Sequence, residues 1–316
     1  ESLPVCEAVK YGGAERDRLI ENYKNSLANL GRCGIKTVCY NFMPVIDWIR
    51  TDLQHPCADG TTSLYFDLHI LERPGAEKDY PDLLLAKVEE MGKVISEKEK
   101  NDLIETIIVK TQGFVNGNIK DGDENPVKIF KKLLSHYEGI DRAALRENMR
   151  YFLSAIMPVC ETFGINMCVH PDDPPFQVLG LPRIVTDEAD IAWILHAVDN
   201  LHNGLTFCAG SLSAGPQNDT RELARKFAKR THFVHLRSTD VLPDGNFIES
   251  SLLSGRGHLI DLIRVFEKEN PHLPMRVDHG RTMLGDENQN YNPGYSFHGR
   301  MLALAQVEGM MAVVKD

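Results

Sequence analysis

Long apolar runs are missing from this 316-residue chain. None approaches the roughly 18 uninterrupted apolar residues that a membrane-crossing helix needs, so no transmembrane segment is expected. A dominant Lys/Arg cluster is missing too: acidic residues outnumber basic ones 45 to 35, for a formal net charge of −10. Binding to a phosphate backbone or an anionic membrane takes a basic face, so neither nucleic acid nor a membrane is an expected partner. The densest charged run, Glu97-Lys98-Glu99-Lys100, alternates in sign and reads as a solvated helix face. A small anionic substrate remains compatible with this balance, because a few local arginines or a metal ion can outweigh the global charge.

Patterned cysteines are also lacking. The seven present (Cys6, Cys33, Cys39, Cys57, Cys160, Cys168 and Cys208) are odd in number and irregularly spaced. A secreted disulfide framework favours even, regular counts, and no secretory signal opens the chain, so a reducing cytoplasm is expected. No local CxxC pair is present, which argues against a structural zinc knot. No glycine-rich loop follows a strand, so a dinucleotide- or phosphate-cradling fold is not indicated. There is no internal repeat and no low-complexity linker. With 42% hydrophobic and 25% charged residues, the chain can bury a large core without staples.

What is present alternates in kind. Short β-branched, apolar runs read as buried parallel strands: Thr37–Phe42, Ile165–His170, Leu205–Ala209, His232–Leu236 and Met275–His279. Longer amphipathic stretches lie between them: Arg16–Gly31, Asp141–Phe163, Asp187–Leu201, Asp219–Lys229 and Gly257–Glu269. Asp187 is placed to cap the helix after it, and Gly164 to stop the helix before it. Such alternation implies βα units, and a closed (β/α)8 TIM barrel fits better than a doubly wound sheet. Leu3–Val5 reads as the end of a further strand, so the first barrel strand is expected upstream of Glu1. Residues 1–316 are read as a single barrel domain. The strand-poor region 80–140 is expected to be a helical insertion (Asp82–Glu99, Asp102–Lys110 and Val127–Tyr137) covering part of the barrel mouth.

Four consecutive strands finish in a metal-capable side chain: His170, Cys208, His235 and Asp278. In a parallel barrel all carboxyl ends share one face, where active sites lie, so residues far apart in sequence converge there. Each alone has an ordinary structural reading; four in register point to a divalent transition ion such as Zn²⁺, Fe²⁺ or Mn²⁺. Four protein ligands close a tetrahedral zinc site, whereas a six-coordinate ion keeps two positions open for substrate.

Several motifs together resemble one known family. They are Cys33–Pro44 (CGIKTVCYNFMP), His170–Pro175 (HPDDPP) with Leu179–Arg183 (LGLPR), His235–Ser238 (HLRS), Asp278–Gly280 (DHG) and Asn292–Tyr295 (NPGY). In this order they resemble the D-mannonate dehydratases, over nearly the whole chain. The resemblance implies a TIM barrel related to xylose isomerase and a Mn²⁺ or Fe²⁺ ion carried by His170, Cys208, His235 and Asp278. It also implies conversion of D-mannonate to 2-dehydro-3-deoxy-D-gluconate and water, in hexuronate (glucuronate) breakdown. His279 and Tyr295 are read as the acid–base pair, in unresolved order, since both can reach the mouth and hold a transferable proton. Arg237 is expected to bind the substrate carboxylate bidentately, Asn41 a sugar hydroxyl, and Asp172 a hydroxyl or a ligand. The alternative is a metal-dependent sugar isomerase or epimerase on the same barrel. A homo-oligomer, dimer or higher, is compatible with such barrels, but no interface is legible.

Overall fold

A computed structural model describes residues 2–68, 105–106, 126–287 and 289–315. Its centre is an all-parallel five-stranded sheet, built from β1 (Thr37–Tyr40), β4 (Asn166–Val169), β5 (Asn203–Cys208), β6 (Thr231–Leu236) and β9 (Met275–Val277). These strands neighbour one another in chain order. Winding in one direction is what a barrel wall does, whereas a doubly wound sheet reverses order at a switch point. On the free side of β1, Ser2 forms a parallel bridge to Cys39, and the Leu3 N–H donates to the Cys39 carbonyl at 3.0 Å. The segment read as a strand end thus lies alongside the sheet as a sixth stave. The fold is α/β, with a curled parallel sheet of barrel type.

The sheet is apolar because it is covered. Helices α2 (Arg16–Arg32), α4 (Arg142–Phe163), α5 (Glu188–Ala197), α7 (Thr220–Phe227) and α8 (Leu259–Glu269) connect the strands. The last helix, α9 (Phe297–Lys315), was not apparent in the sequence. One continuous core joins Leu27 of α2, Phe152 and Ile156 of α4, Val38, Met167, Phe207 and Val234 of the strands, and Phe266 of α8. The helix ends follow side-chain chemistry: Asp187 accepts from the Asp190 N–H at 3.0 Å, and Gly164 stops α4 at φ 61°. That left-handed geometry is one glycine adopts without strain. Among the described residues no helix is long and apolar enough to cross a membrane.

A second sheet was not foreseen. Strands β2 (Asp52–Pro56), β3 (Thr62–Phe66), β7 (Thr239–Val241) and β8 (Phe247–Glu249) form an antiparallel sheet in the order β2-β3-β8-β7. Its β7–β8 hairpin turns on Pro243-Asp244-Gly245, with Gly245 at φ 89°. Phe66 and Phe247 stack with centroids 5.1 Å apart and join a smaller apolar cluster with Ile46, Ile49 and Leu181. Phe130 and Leu134 of α3 (Pro126–Ser135) belong to that cluster, so this helix packs against the segments that carry Ile46, Ile49 and Leu181. The expected helices Asp82–Glu99 and Asp102–Lys110 lie outside the described residues, apart from residues 105–106.

Candidate active site and metal centre

The parallel register sets the site. Cys208 on β5 pairs with His235 on β6, while His170 and Asp278 follow the last residues of β4 and β9. Strand pairing therefore brings four distant side chains to one rim. His170, Cys208 and His235 each aim one ligand atom at a common point, with those atoms all within 4.8 Å of one another. Asp278 stands beside them, its Oδ2 3.9 Å from His235 Nδ1.

This donor set suits a divalent transition ion. His170 Nδ1 lies 2.7 Å from the Pro171 carbonyl oxygen, which can only accept, so Nδ1 carries the proton and Nε2 presents its lone pair inward. That Nε2 faces His235 Nδ1 at 3.2 Å. Two imidazole lone pairs at this separation repel unless a proton or a cation stands between them. Burial works against ionising Cys208, but Arg237 and His170 outweigh it and hold the thiol well below its ordinary pKa. Burial likewise opposes charging Asp278, yet His279, His235 and Arg237 keep its carboxyl well below the usual range. A thiolate and a carboxylate are thus favoured at the rim; burial opposes charging His170, but the Cys208 charge raises its pKa, so a proton and an ion compete for the same nitrogen.

Arg237 is buried and surrounded by acceptors. Its Nη2 donates to Asp173 Oδ2 at 2.6 Å and Ser211 Oγ at 2.8 Å, and approaches Cys208 Sγ at 3.5 Å. Its Nη1 donates to Glu249 Oε1 at 3.2 Å. Small residues make room for it: a Cβ on Gly210, in the short helix α6 (Ala209–Ser213), would come within 2.0 Å of Arg237 Nε. Arg50 completes an alternating ring of charge, reaching Asp173 Oδ1 at 2.7 Å and Glu249 Oε1 at 2.7 Å. Burial disfavours the Glu249 carboxylate, but His279, Arg237 and Arg50 bring it down to about 2.

His279 and Tyr295 enter the same space. The His279 ring meets Tyr295 edge-on at 5.2 Å and Trp48 at 5.6 Å. Gly294, at φ 80°, lies so close that a Cβ there would come within 3.0 Å of His279 Cγ. Tyr295 Oη donates to Asp278 Oδ1 at 3.4 Å, and burial followed by the Asp278 charge pushes the phenol above its ordinary pKa. These groups line a cavity of about 340 Å³ with Asn41, Asp47, His170, Asp173 and His235.

Eight of the nine site residues read from the sequence therefore converge: His170, Cys208, His235, Asp278, His279, Tyr295, Arg237 and Asn41, the last donating to Asp47 Oδ2 at 2.5 Å. Asp172 lies apart. Its Oδ2 accepts the N–H groups of Ile184 and Val185 at 2.8 and 2.7 Å, which spends the carboxylate on ordering the 179–185 loop. The adjacent Asp173 faces the cavity instead. Arg276 was missed, although it precedes Asp278 by two on a strand and so shares its face. It lines the cavity and donates to Asp278 Oδ1 at 2.8 Å. Asp47, Trp48, Arg50 and Glu249 were missed as well, because no motif announces the loop or the accessory sheet that carries them.

The chain resembles known proteins over its full length. The family model described as D-mannonate dehydratase (UxuA) matches residues 1–316. A mannonate dehydratase of Marinomonas sp. (strain MWYL1) is 39% identical, with 100% of this chain and 84% of that protein covered. One of Chromohalobacter salexigens is 38% identical, with 100% and 83% covered. The crystal structure of the mannonate dehydratase from Streptococcus suis serotype 2 superimposes with a TM-score of 0.75 at 32% identity, covering 99% of this chain and 74% of that one. On this full-length match, the chain belongs to the D-mannonate dehydratase family.

Proposed function

We propose that this chain is a hydro-lyase that dehydrates D-mannonate to 2-dehydro-3-deoxy-D-gluconate in hexuronate breakdown. The observation that carries the reading is the convergence of three ligand atoms within 4.8 Å of one another, two of them on residues lining a cavity that His279 and Tyr295 also line. We assign the ion to His170, Cys208, His235 and Asp278, and its identity to Mn²⁺ or Fe²⁺. Once bound, it supplies Lewis-acid stabilisation of the negative charge that develops beside the substrate carboxylate.

The protein's own groups divide the proton work. The reaction takes a proton from C2, breaks the C3–O bond and releases the oxygen as water. His279 is the base: with its Nδ1 proton directed at Glu249, its Nε2 lone pair is free to accept the C2 proton. Tyr295 is the acid. Its raised pKa keeps the phenol protonated, yet still far more acidic than the water formed when it donates to the leaving hydroxyl. Arg276 and Asn41 bind the substrate carboxylate and a sugar hydroxyl. Arg237 has most of its donors occupied by protein acceptors, so its role is to hold Cys208 ionised and Asp173 in place. We read the six staves as part of an eight-stranded barrel, with helix α3 in an insertion beside its mouth. The seven free thiols support a cytoplasmic setting.

Incubating Mn²⁺-loaded protein with D-mannonate and following the 2-keto-3-deoxy acid tests this reading. Dehydration is expected. Interconversion of an aldose and a ketose without loss of water would favour the isomerase alternative and overturn it.

A further inference from the structure

Glu249 has no part in the metal cluster and is not near the chemistry in sequence. It comes from β8 of the accessory sheet, whose main chain is fixed to β3 by the Ser63 hydroxyl donating to the Glu249 carbonyl at 2.6 Å. Its two carboxylate oxygens lie 2.8 and 2.9 Å from His279 Nδ1. Arg50 and Arg237 bind the same carboxylate at 2.7 and 3.2 Å. Both flank it as cations, so Glu249 cannot relax away from the imidazole without leaving buried charge unpaired.

Arg237 Nη1 also lies 2.9 Å from His279 Nδ1, which raises the question of which group is the donor there. An unprotonated Nδ1 would press its lone pair against two anionic oxygens. A protonated Nδ1 donates to them, while Arg237 donates to Glu249. The second arrangement satisfies all three groups. In the neutral ring, the form a base needs, it leaves Nε2 as the lone-pair nitrogen, and among the described residues no hydrogen bond engages Nε2. The ring is further confined by Trp48, Tyr295 and Gly294, so the tautomer and the orientation are set together.

We propose that Glu249 is the positioning residue of the reaction, fixing His279 as the Nδ1–H tautomer and directing Nε2 at the substrate's C2 proton. This rests on the reading of His279 as the base. It gives the accessory sheet a catalytic purpose, because that sheet supplies the carboxylate that the barrel strands do not.

Two measurements test it. The first needs no variant: in zinc-substituted, diamagnetic protein labelled with ¹⁵N-histidine, the His279 ring, assigned by comparison with His279→Asn, should show a protonated Nδ1 and a bare Nε2. The reverse pattern overturns the proposal. The second uses Glu249→Gln, whose amide can donate to Nδ1 and let the proton move to Nε2. A loss of roughly 10²–10⁴-fold in kcat is expected, with KM and metal content changed little. Glu249→Asp, which keeps the acceptor, should recover part of it. A folded, metal-replete Glu249→Gln protein with native kcat and the native tautomer overturns the proposal. The tautomer readout needs no substrate, so a wild-type protein inactive on D-mannonate would sink the proposed reaction without deciding the role of Glu249.

Discussion

At the scale of single residues, the charges around Cys208 are in place before any ion binds, and that makes the thiol's contribution testable. Cys208→Ser removes the soft anion that Arg237 and His170 stabilise, so metal content and dehydration should fall together. Elemental analysis run beside the activity assay checks this, and a fully active, metal-replete variant would remove Cys208 from the site. His279→Asn should instead lose about 10²–10⁴-fold in turnover while most of the metal stays bound, since His279 is outside the ligand set and bears on the ion only through the charge of Asp278. His232 gives a separate prediction for stability. Burial lowers its pKa from 6.5 to about 4, so the folded protein holds it neutral while the unfolded chain can charge it. Its stabilising contribution is complete above pH 6.5 and is lost as the pH falls towards 4. Denaturant midpoints across that range should decline less steeply in His232→Gln. Strand-end histidines, cysteine and aspartate were legible because a parallel barrel collects whatever ends its strands. Asp172 and Asp173 were not separable, since adjacent residues in a loop carry no rule for which one faces inward.

At the scale of elements, capping and glycine geometry were legible and tertiary recruitment was not. The helices over 16–32, 142–163 and 259–269 match the amphipathic stretches within a few residues, and Asp187 and Gly164 do the capping their residue types suggest. The accessory strands escaped notice because they are only three to five residues long, and β2 has half-buried and exposed positions with no buried face. Glycine at 294 illustrates an element serving chemistry. Gly294→Ala would strain a left-handed backbone and push on His279, so kcat should drop several-fold or more while the metal stays bound. Unchanged kinetics in that variant would show that the loop can yield.

For the whole molecule, one core beneath the sheet supports a rim that performs the reaction. Leu153 is fully buried on α4 and does not line the site cavity. Leu153→Ala should cost about 2–5 kcal/mol in denaturant unfolding, yet leave activity per folded molecule intact. Ion binding should have the opposite signature. It links the ends of neighbouring staves, so loading at about 100 times Kd adds about 2.7 kcal/mol, and chelation should lower Tm accordingly.

The alternating set Arg50, Asp173, Arg237 and Glu249 constrains how this protein can change. Neutralising any one member strands an opposite charge in the interior, a loss of about 3–5 kcal/mol. Swapping partners together avoids that loss. Lineages or engineers wishing to recast this pocket therefore gain most from coordinated pairs, and single substitutions such as Glu249→Gln are tolerated only while the rest of the fold offsets that loss.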